Sequence, residues 1–221
     1  MSGVVIKVGG AVAAQSAAAV VVLAREYEVC VVHGAGPQIT EEMHRFGLPV
    51  EFVGGRRVTS RAGLAIVRSS LASVNRALCA AIGERAVPLL GDEIGLHAVQ
   101  VAHLGLVGNP LPSRPPAVVA ALAEGRIPVV APIAVGPLNV NADEAAAALA
   151  QGIAAERLLF LADVAGLILD GEVVDAIDAA RAWELLDSDL LEGGIVPKLR
   201  AAAVAASAGV PAAIGRTVVT A

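Results

Sequence analysis

"VVIKVGGAVAAQSAAAVVVLAREYEVCVVHGAG", residues 4–36, decides the fold class. "VVIKVGG" (4–10) is a β-branched run broken by one lysine and closed by two glycines, so it reads as a buried strand. Residues 14–26 have helix length, and "EVCVVHG" (28–34) is a second apolar run that also ends in glycine. Strands with no polar face cannot sit on a half-exposed antiparallel sheet. Joined through a helix, they make a parallel βαβ unit.

The alternation continues along the chain. Helices are predicted at 37–47, 60–83, 116–125, 143–154, 178–187 and 197–208, and strands at 86–90, 96–105, 127–132, 157–163, 211–214 and 216–220. "VEFVGGRRVT" (50–59) reads as a hairpin turning at Gly54-Gly55, and "LILDGEVV" (167–174) as one turning at Asp170-Gly171. The prediction is a mainly parallel sheet with helices on both faces, without internal repeat or linker.

The chain has 221 residues, 56% of them hydrophobic but only 2% aromatic, so its core must be built from Val, Leu, Ile and Ala. No uninterrupted apolar run reaches the roughly 18 residues of a membrane span. The first strand starts so near Met1 that no signal peptide is expected. A net charge of −5, a pI near 5.4 and no basic run speak against a nucleic-acid partner. Cys30 and Cys79 read as buried free thiols, which fits a reducing, cytoplasmic compartment.

Of the 16 basic residues only two are lysine, Lys7 and Lys198. Lys7 interrupts a buried strand just before Gly9 and Gly10, where a cation is costly unless an anion meets it. Lys198 follows Pro197 near a predicted helix start, where the dipole disfavours a cation. Lysine is a compact charge able to follow a moving phosphoryl group, whereas arginine imposes a fixed fork. Three glycine-rich turns follow strands: "KVGGA" (7–11), "HGAGPQ" (33–38) and "ADVAGL" (162–167). Such turns admit a phosphate or carboxylate to backbone N–H groups, although tight strand-to-helix turns need glycine for their own sake. None matches a P-loop or GxGxxG. Asn139, Asn141 and Asp143 share one parity if the segment is extended, and that is more polar equipment than a helix cap requires.

Taken in order, "IKVGG", "VHGAGPQI", "GRRVT", "LNVNADEAA", "ADVAGLILDG" and "GGIVPKLRAA" resemble the N-acetylglutamate kinases of the amino acid kinase superfamily, from about residue 4 to residue 215. The resemblance implies a three-layer αβα sandwich. An N-terminal lobe (1–137) would bind acetylglutamate and dimerise, and a C-terminal lobe (138–221) would bind ATP with Mg²⁺. It implies phosphorylation of the γ-carboxylate of N-acetyl-L-glutamate, the second step of arginine biosynthesis. It assigns Lys7 and Lys198 to the transferring phosphoryl group and Asp143 to organising them. Gly34, Ala35, Arg57, Asn139 and Asn141 fall on the acetylglutamate side. Gly9, Gly10, Asp163, Val164, Ala165, Gly166, Leu167, Ile168, Leu190, Leu191 and Glu192 fall on the nucleotide side.

The chain departs from the family pattern in three ways. Ala35 stands in the middle of a usual three-glycine turn, the nucleotide-side hairpin is short, and no helix precedes the first strand. The last point implies a homodimer insensitive to arginine. Two rival readings are a kinase acting on a carrier-linked aminoadipate or glutamate, and a catalytically silent ATP- or amino-acid-binding regulator. The amides and "GRRVT" favour the free substrate, and retention of both lysines with Asp143 favours catalysis. No Ser-His-Asp or Cys-His set stands out. His33 reads as structural, and His44, His97 and His103 as ordinary surface or strand residues.

Overall fold

Short β-branched runs set the central sheet, and the glycines that end them set its ligand-facing edge. The computed structural model describes residues 3–10, 13–161, 164–188 and 190–221. The chain runs through β1 (Gly3–Val8), α1 (Ala13–Leu23), β2 (Glu28–His33), α2 (Gly36–Arg45), β3 (Phe52–Val53), β4 (Arg56–Arg57) and α3 (Arg61–Ile82). It continues through β5 (Ala86–Leu90), α4 (Gly91–Ile94), β6 (Ala98–Gln100), a 3-10 turn (Ala102–Leu104), β7 (Val107–Pro110), α5 (Pro116–Ala123), β8 (Ile127–Ala131), β9 (Ile133–Ala134) and β10 (Leu138–Val140). The last part holds α6 (Ala142–Gly152), β11 (Arg157–Leu161), β12 (Ile168–Leu169), β13 (Glu172–Val173), β14 (Ala176–Asp178), α7 (Ala179–Leu186), α8 (Ile195–Ser207), β15 (Ala212–Ile214) and β16 (Thr217–Thr220).

The main sheet has eight strands in the order β14-β16-β15-β11-β1-β2-β8-β5. All neighbours are parallel except β15 and β16, so the two strands at that edge run against the rest. Alternation along β1 assigns the two helical layers. Val4, Ile6 and Val8 pack with Val20 of α1 and Leu78 of α3, while Val5 packs on the other side with α6 and α8 through residues such as Ala146 and Leu199. Helices therefore cover both faces, and the three-layer αβα sandwich is present as expected. α3 has 22 residues and is long and apolar enough to cross a bilayer by length and composition. Here its Leu64, Val67, Leu71, Val74 and Leu78 are buried against the core, and its arginines punctuate the other face.

Several local expectations change. The apolar stretch 96–105 is not one strand. It forms β6, then a 3-10 turn closed by Gly105 at φ 81°, after which β7 returns antiparallel to β6. The reversal is fixed by Val101 N–H bonding to Val107 O at 2.8 Å, a contact that hydrophobicity does not encode. α4, β7, β9 and β14 were not expected. β10, at the start of the expected C-terminal lobe, pairs with β7 and β9 in a second, four-stranded sheet. Cys30 is fully buried but Cys79 only partly so. Burial pushes their thiols up to about 12 and about 11, which leaves both protonated near neutral pH.

Candidate active site

β1 lies between β2 and β11, so the chain leaves its carboxyl end in one direction first and returns on the other side later. An open α/β sheet forms its ligand crevice at such a switch point. The turns after β1 and β2 meet there. A methyl group on Gly10 would sit 2.9 Å from Ala35 Cα and 3.0 Å from the Gly34 carbonyl, so only glycine allows the two turns to touch. Gln38 ties them further by donating from Nε2 to Gly10 O at 3.1 Å. A cleft of about 900 Å³ opens above this junction.

Lys7 has the parity of Val5 and so points toward the α6–α8 layer rather than toward α1. α6 begins immediately after β10, and Asp143 is its second residue, where the helix dipole favours a carboxylate. The Lys7 Nζ stands 2.8 Å from Asp143 Oδ1, with both side chains buried. Lys198 lies in the first turn of α8. Its Nζ donates to Gly194 O at 3.2 Å and lies 3.8 Å from Asp143 Oδ2. Burial lowers the Lys198 pKa; Asp143 opposes the shift, and the neighbouring Lys7 adds to it. Two ammonium groups from opposite ends of the chain thus share one carboxylate. Among the described residues the net charge of this trio is positive, the condition for receiving an anion.

Arg57 is solved differently. It is buried, and its guanidinium donates to Gly36 O (3.1 Å), Thr40 Oγ1 (2.8 Å) and Met43 Sδ (3.4 Å). It also lies 4.5 Å from the centre of the Phe52 ring, its cross-strand partner. Every one of these groups is neutral, and burial lowers its pKa. Among the described residues no carboxylate pairs with it. Asn139 donates from Nδ2 to Thr59 Oγ1 (3.0 Å), which in turn donates to Arg57 O (2.7 Å), so the amide steadies the segment that carries the arginine.

The expected common parity of Asn139, Asn141 and Asp143 ends at Val140, because β10 stops there. Asn141 is the cap of α6: its Oδ1 accepts from Asp143 N–H (2.8 Å) and Glu144 N–H (3.2 Å). Capping frees Asp143 to face the lysines. Ala35 has φ −145°, outside the left-handed region that favours glycine, and it packs among Ile39, Met43 and Leu64. Gly9 N–H reaches Leu161 O at 3.4 Å.

Lys7, Asp143, Lys198, Gly34, Ala35, Arg57, Asn139 and Asn141 all line the cleft, together with Gly9, Gly10, Val164, Ala165, Gly166, Leu167, Ile168, Leu190, Leu191 and Glu192. Asp163 lies outside the described residues. The 164–167 turn is held by Leu167 N–H donating to Thr217 Oγ1 (2.7 Å) and Arg216 N–H to Ala165 O (2.8 Å). Sequence reasoning missed Gly36, Phe52 and Arg56, which also line the cleft. Phe52 was legible as the hairpin partner of Arg57. Arg56 carried no signal beyond its neighbour.

His33 is fully buried at the end of β2. Its Nε2 accepts from Asn75 Nδ2 (3.1 Å), which fixes the proton on Nδ1, within 3.2 Å of Gly34 O. Burial pushes its pKa down to about 4, so the ring is neutral.

The amino acid kinase family model matches residues 2–216. The chain is 41% identical to the acetylglutamate kinase of Rubrobacter xylanophilus across 97% of this chain and 88% of that protein. The smu.665 protein of Streptococcus mutans UA159 superposes with a TM-score of 0.89 at 26% identity, covering 99% of this chain and 98% of that one. The N-acetylglutamate synthase of Neisseria gonorrhoeae, complexed with coenzyme A and N-acetyl-glutamate, shares the fold at a TM-score of 0.82 and 20% identity, over 59% of its length. The chain belongs to the amino acid kinase family.

Proposed function

We propose that this protein uses ATP to phosphorylate the γ-carboxylate of N-acetyl-L-glutamate, giving N-acetyl-L-glutamyl 5-phosphate in the second step of arginine biosynthesis. One observation carries the reading: two lysines converge on a single aspartate at the switch point, with an uncompensated arginine in the same cleft. The chain's 41% identity to an acetylglutamate kinase supports the choice of substrate.

In this reading Arg57 takes the α-carboxylate of acetylglutamate, on the side steadied by Asn139 and Asn141, with Gly34 and Ala35 beside the substrate. The γ-carboxylate is ionised at neutral pH and attacks the γ-phosphorus directly, so no general base is required. A new carboxylate O–P bond forms as the bond to the β-phosphate oxygen breaks, and the electron pair leaves on ADP. Charge that spreads over the transferring group is met by Lys7 and Lys198, which Asp143 holds apart yet aimed at one point. The 164–168 turn and residues 190–192 would border the nucleotide, and Gly9 and Gly10 its phosphates. Among the described residues, Asp143 and Glu192 are the carboxylates of the cleft, and no three-ligand set forms. The donor set therefore suits Mg²⁺ that arrives on the ATP phosphates, where it offsets their charge, rather than in a protein cage. The lobes are proposed as 1–137 for acetylglutamate and 138–221 for the nucleotide, in a cytoplasmic homodimer; sedimentation at micromolar concentration tests the dimer.

Hydroxylamine trapping of the acyl phosphate tests the reaction across N-acetylglutamate, N-acetylaspartate, glutamate, aspartate and carbamate. N-acetylglutamate is expected to be the best acceptor by at least tenfold in kcat/KM. A different best acceptor would overturn the assignment.

A further inference from the structure

The hairpin that carries Arg57 has strands of two residues each and pairs with neither larger sheet. Such a ribbon has no stability of its own, so something outside it must fix where Arg57 points. Both turn glycines have positive φ, 56° and 77°, as a two-residue hairpin turn requires, and the consecutive residues of β4 face opposite ways because side chains alternate along a strand. Arg57 faces α2. Arg56 faces α6, where its Nε lies 2.9 and 3.1 Å from the two oxygens of Glu144 and its Nη2 lies 2.8 Å from Oε1. Nη2 also donates to Asn109 Oδ1 of β7 at 2.9 Å. Glu144 follows Asp143 directly on α6. Burial raises the Glu144 pKa, and the hydrogen bond from Arg56 opposes that shift. The pair is only 22% and 15% exposed, enough shielding for the contact to matter more than a surface ion pair. A second tie, Asn141 Nδ2 to Gly55 O at 3.2 Å, runs beside it.

We propose that Arg56 and Glu144 are a positioning pair. Their ion pair seats the β3–β4 hairpin on the start of α6, and so sets the distance between the substrate-carboxylate site at Arg57 and the phosphoryl-transfer site at Asp143. Arg56 does not bind the substrate; it acts through Glu144. The inference deepens the functional reading above and takes acetylglutamate as the acceptor.

Arg56→Ala, Glu144→Ala, the double variant and the charge swap Arg56→Glu/Glu144→Arg test it. Each single variant is expected to raise KM for acetylglutamate about tenfold while KM for ATP stays within about twofold. The double variant should be no worse than either single one, and the swap should recover most of the loss. An effect from Arg56→Ala alone would make Arg56 a direct ligand and overturn the pair. Additive losses, or equal losses in both KM values, would also overturn it. Hydrogen exchange without ligand gives a readout independent of the substrate. The Val58 amide, which bonds Glu51 O across the hairpin base at 3.0 Å, should lose about tenfold protection in both single variants and regain it in the swap. Unchanged protection would sink the positioning role even if the acetylglutamate assignment failed separately in the wild-type protein.

Discussion

The two cationic regions of the cleft are built on opposite principles. At the proposed phosphoryl-transfer centre, Lys7 and Lys198 share Asp143, so one of the two buried positive charges is balanced before any ligand arrives. At the proposed substrate-carboxylate side, Arg57 is surrounded by a carbonyl, a hydroxyl, a thioether and an aromatic face, and among the described residues no carboxylate compensates its charge. A buried charge without a partner is costly. The protein accepts this cost at Arg57, where the proposed substrate would supply the missing carboxylate. It offsets part of the cost at the lysines through Asp143, and in the proposed mechanism the remaining positive charge meets the transferring group. The first region is a prepared electrostatic frame; the second is a receptor that waits.

The largest expected effect breaks the frame. Asp143→Ala strands two lysines beside each other, and turnover should fall about a thousandfold, about 4 kcal/mol of transition-state stabilisation. The same change should destabilise the ligand-free fold by about 3 kcal/mol, because two like charges lose their shared partner. Denaturant unfolding checks the second effect, and loss of turnover with a wild-type unfolding midpoint would show that Asp143 does not balance the lysines. Breaking the receptor should look different. Arg57→Gln should raise KM for acetylglutamate about a hundredfold, equivalent to about 3 kcal/mol, while the unfolding midpoint of the ligand-free protein holds or rises. A marked loss of stability in that variant would mean that the arginine is structural.

The smallest effect sharpens the contrast through His33, a buried group beside the receptor that can titrate where Arg57 cannot. Its pKa is pushed down from 6.5 to about 4 by burial. The unfolded chain therefore binds a proton that the folded one refuses, and stability present above about pH 6.5 is lost as the pH falls toward 4. Between pH 7 and pH 5 the loss should be about 2 kcal/mol, and His33→Gln should flatten that part of the stability profile. An unchanged profile in the variant would assign the acid sensitivity to other groups.

Much of this was legible in the residues. The βαβ start, both hairpin turns and the long helix α3 follow from periodicity and turn chemistry. The rarity of lysine singled out Lys7 and Lys198, and every expected site residue that is described lines the same cleft. What was not legible depended on contacts between distant segments. The 96–105 stretch is apolar throughout, so no local signal marks the reversal that Gly105 and Val107 impose. Asn141 and Asp143 are equally plausible caps by residue type. Only the end of β10 makes Asn141 the cap and turns Asp143 toward the lysines. Arg56 and Arg57 are chemically identical neighbours, separated in role only by what lies on each side of the hairpin.

By itself the sequence determined the layers and their order, because β-branched runs, alanine-rich helices and glycine turns are local preferences that a sheet with two covered faces satisfies together. Tertiary structure alone decided which charges are shared and which wait. Charge compensation depends on distances of 2.8 and 3.8 Å between residues far apart in the chain, Lys7 and Lys198 each with Asp143, and the chain's local chemistry does not set those distances.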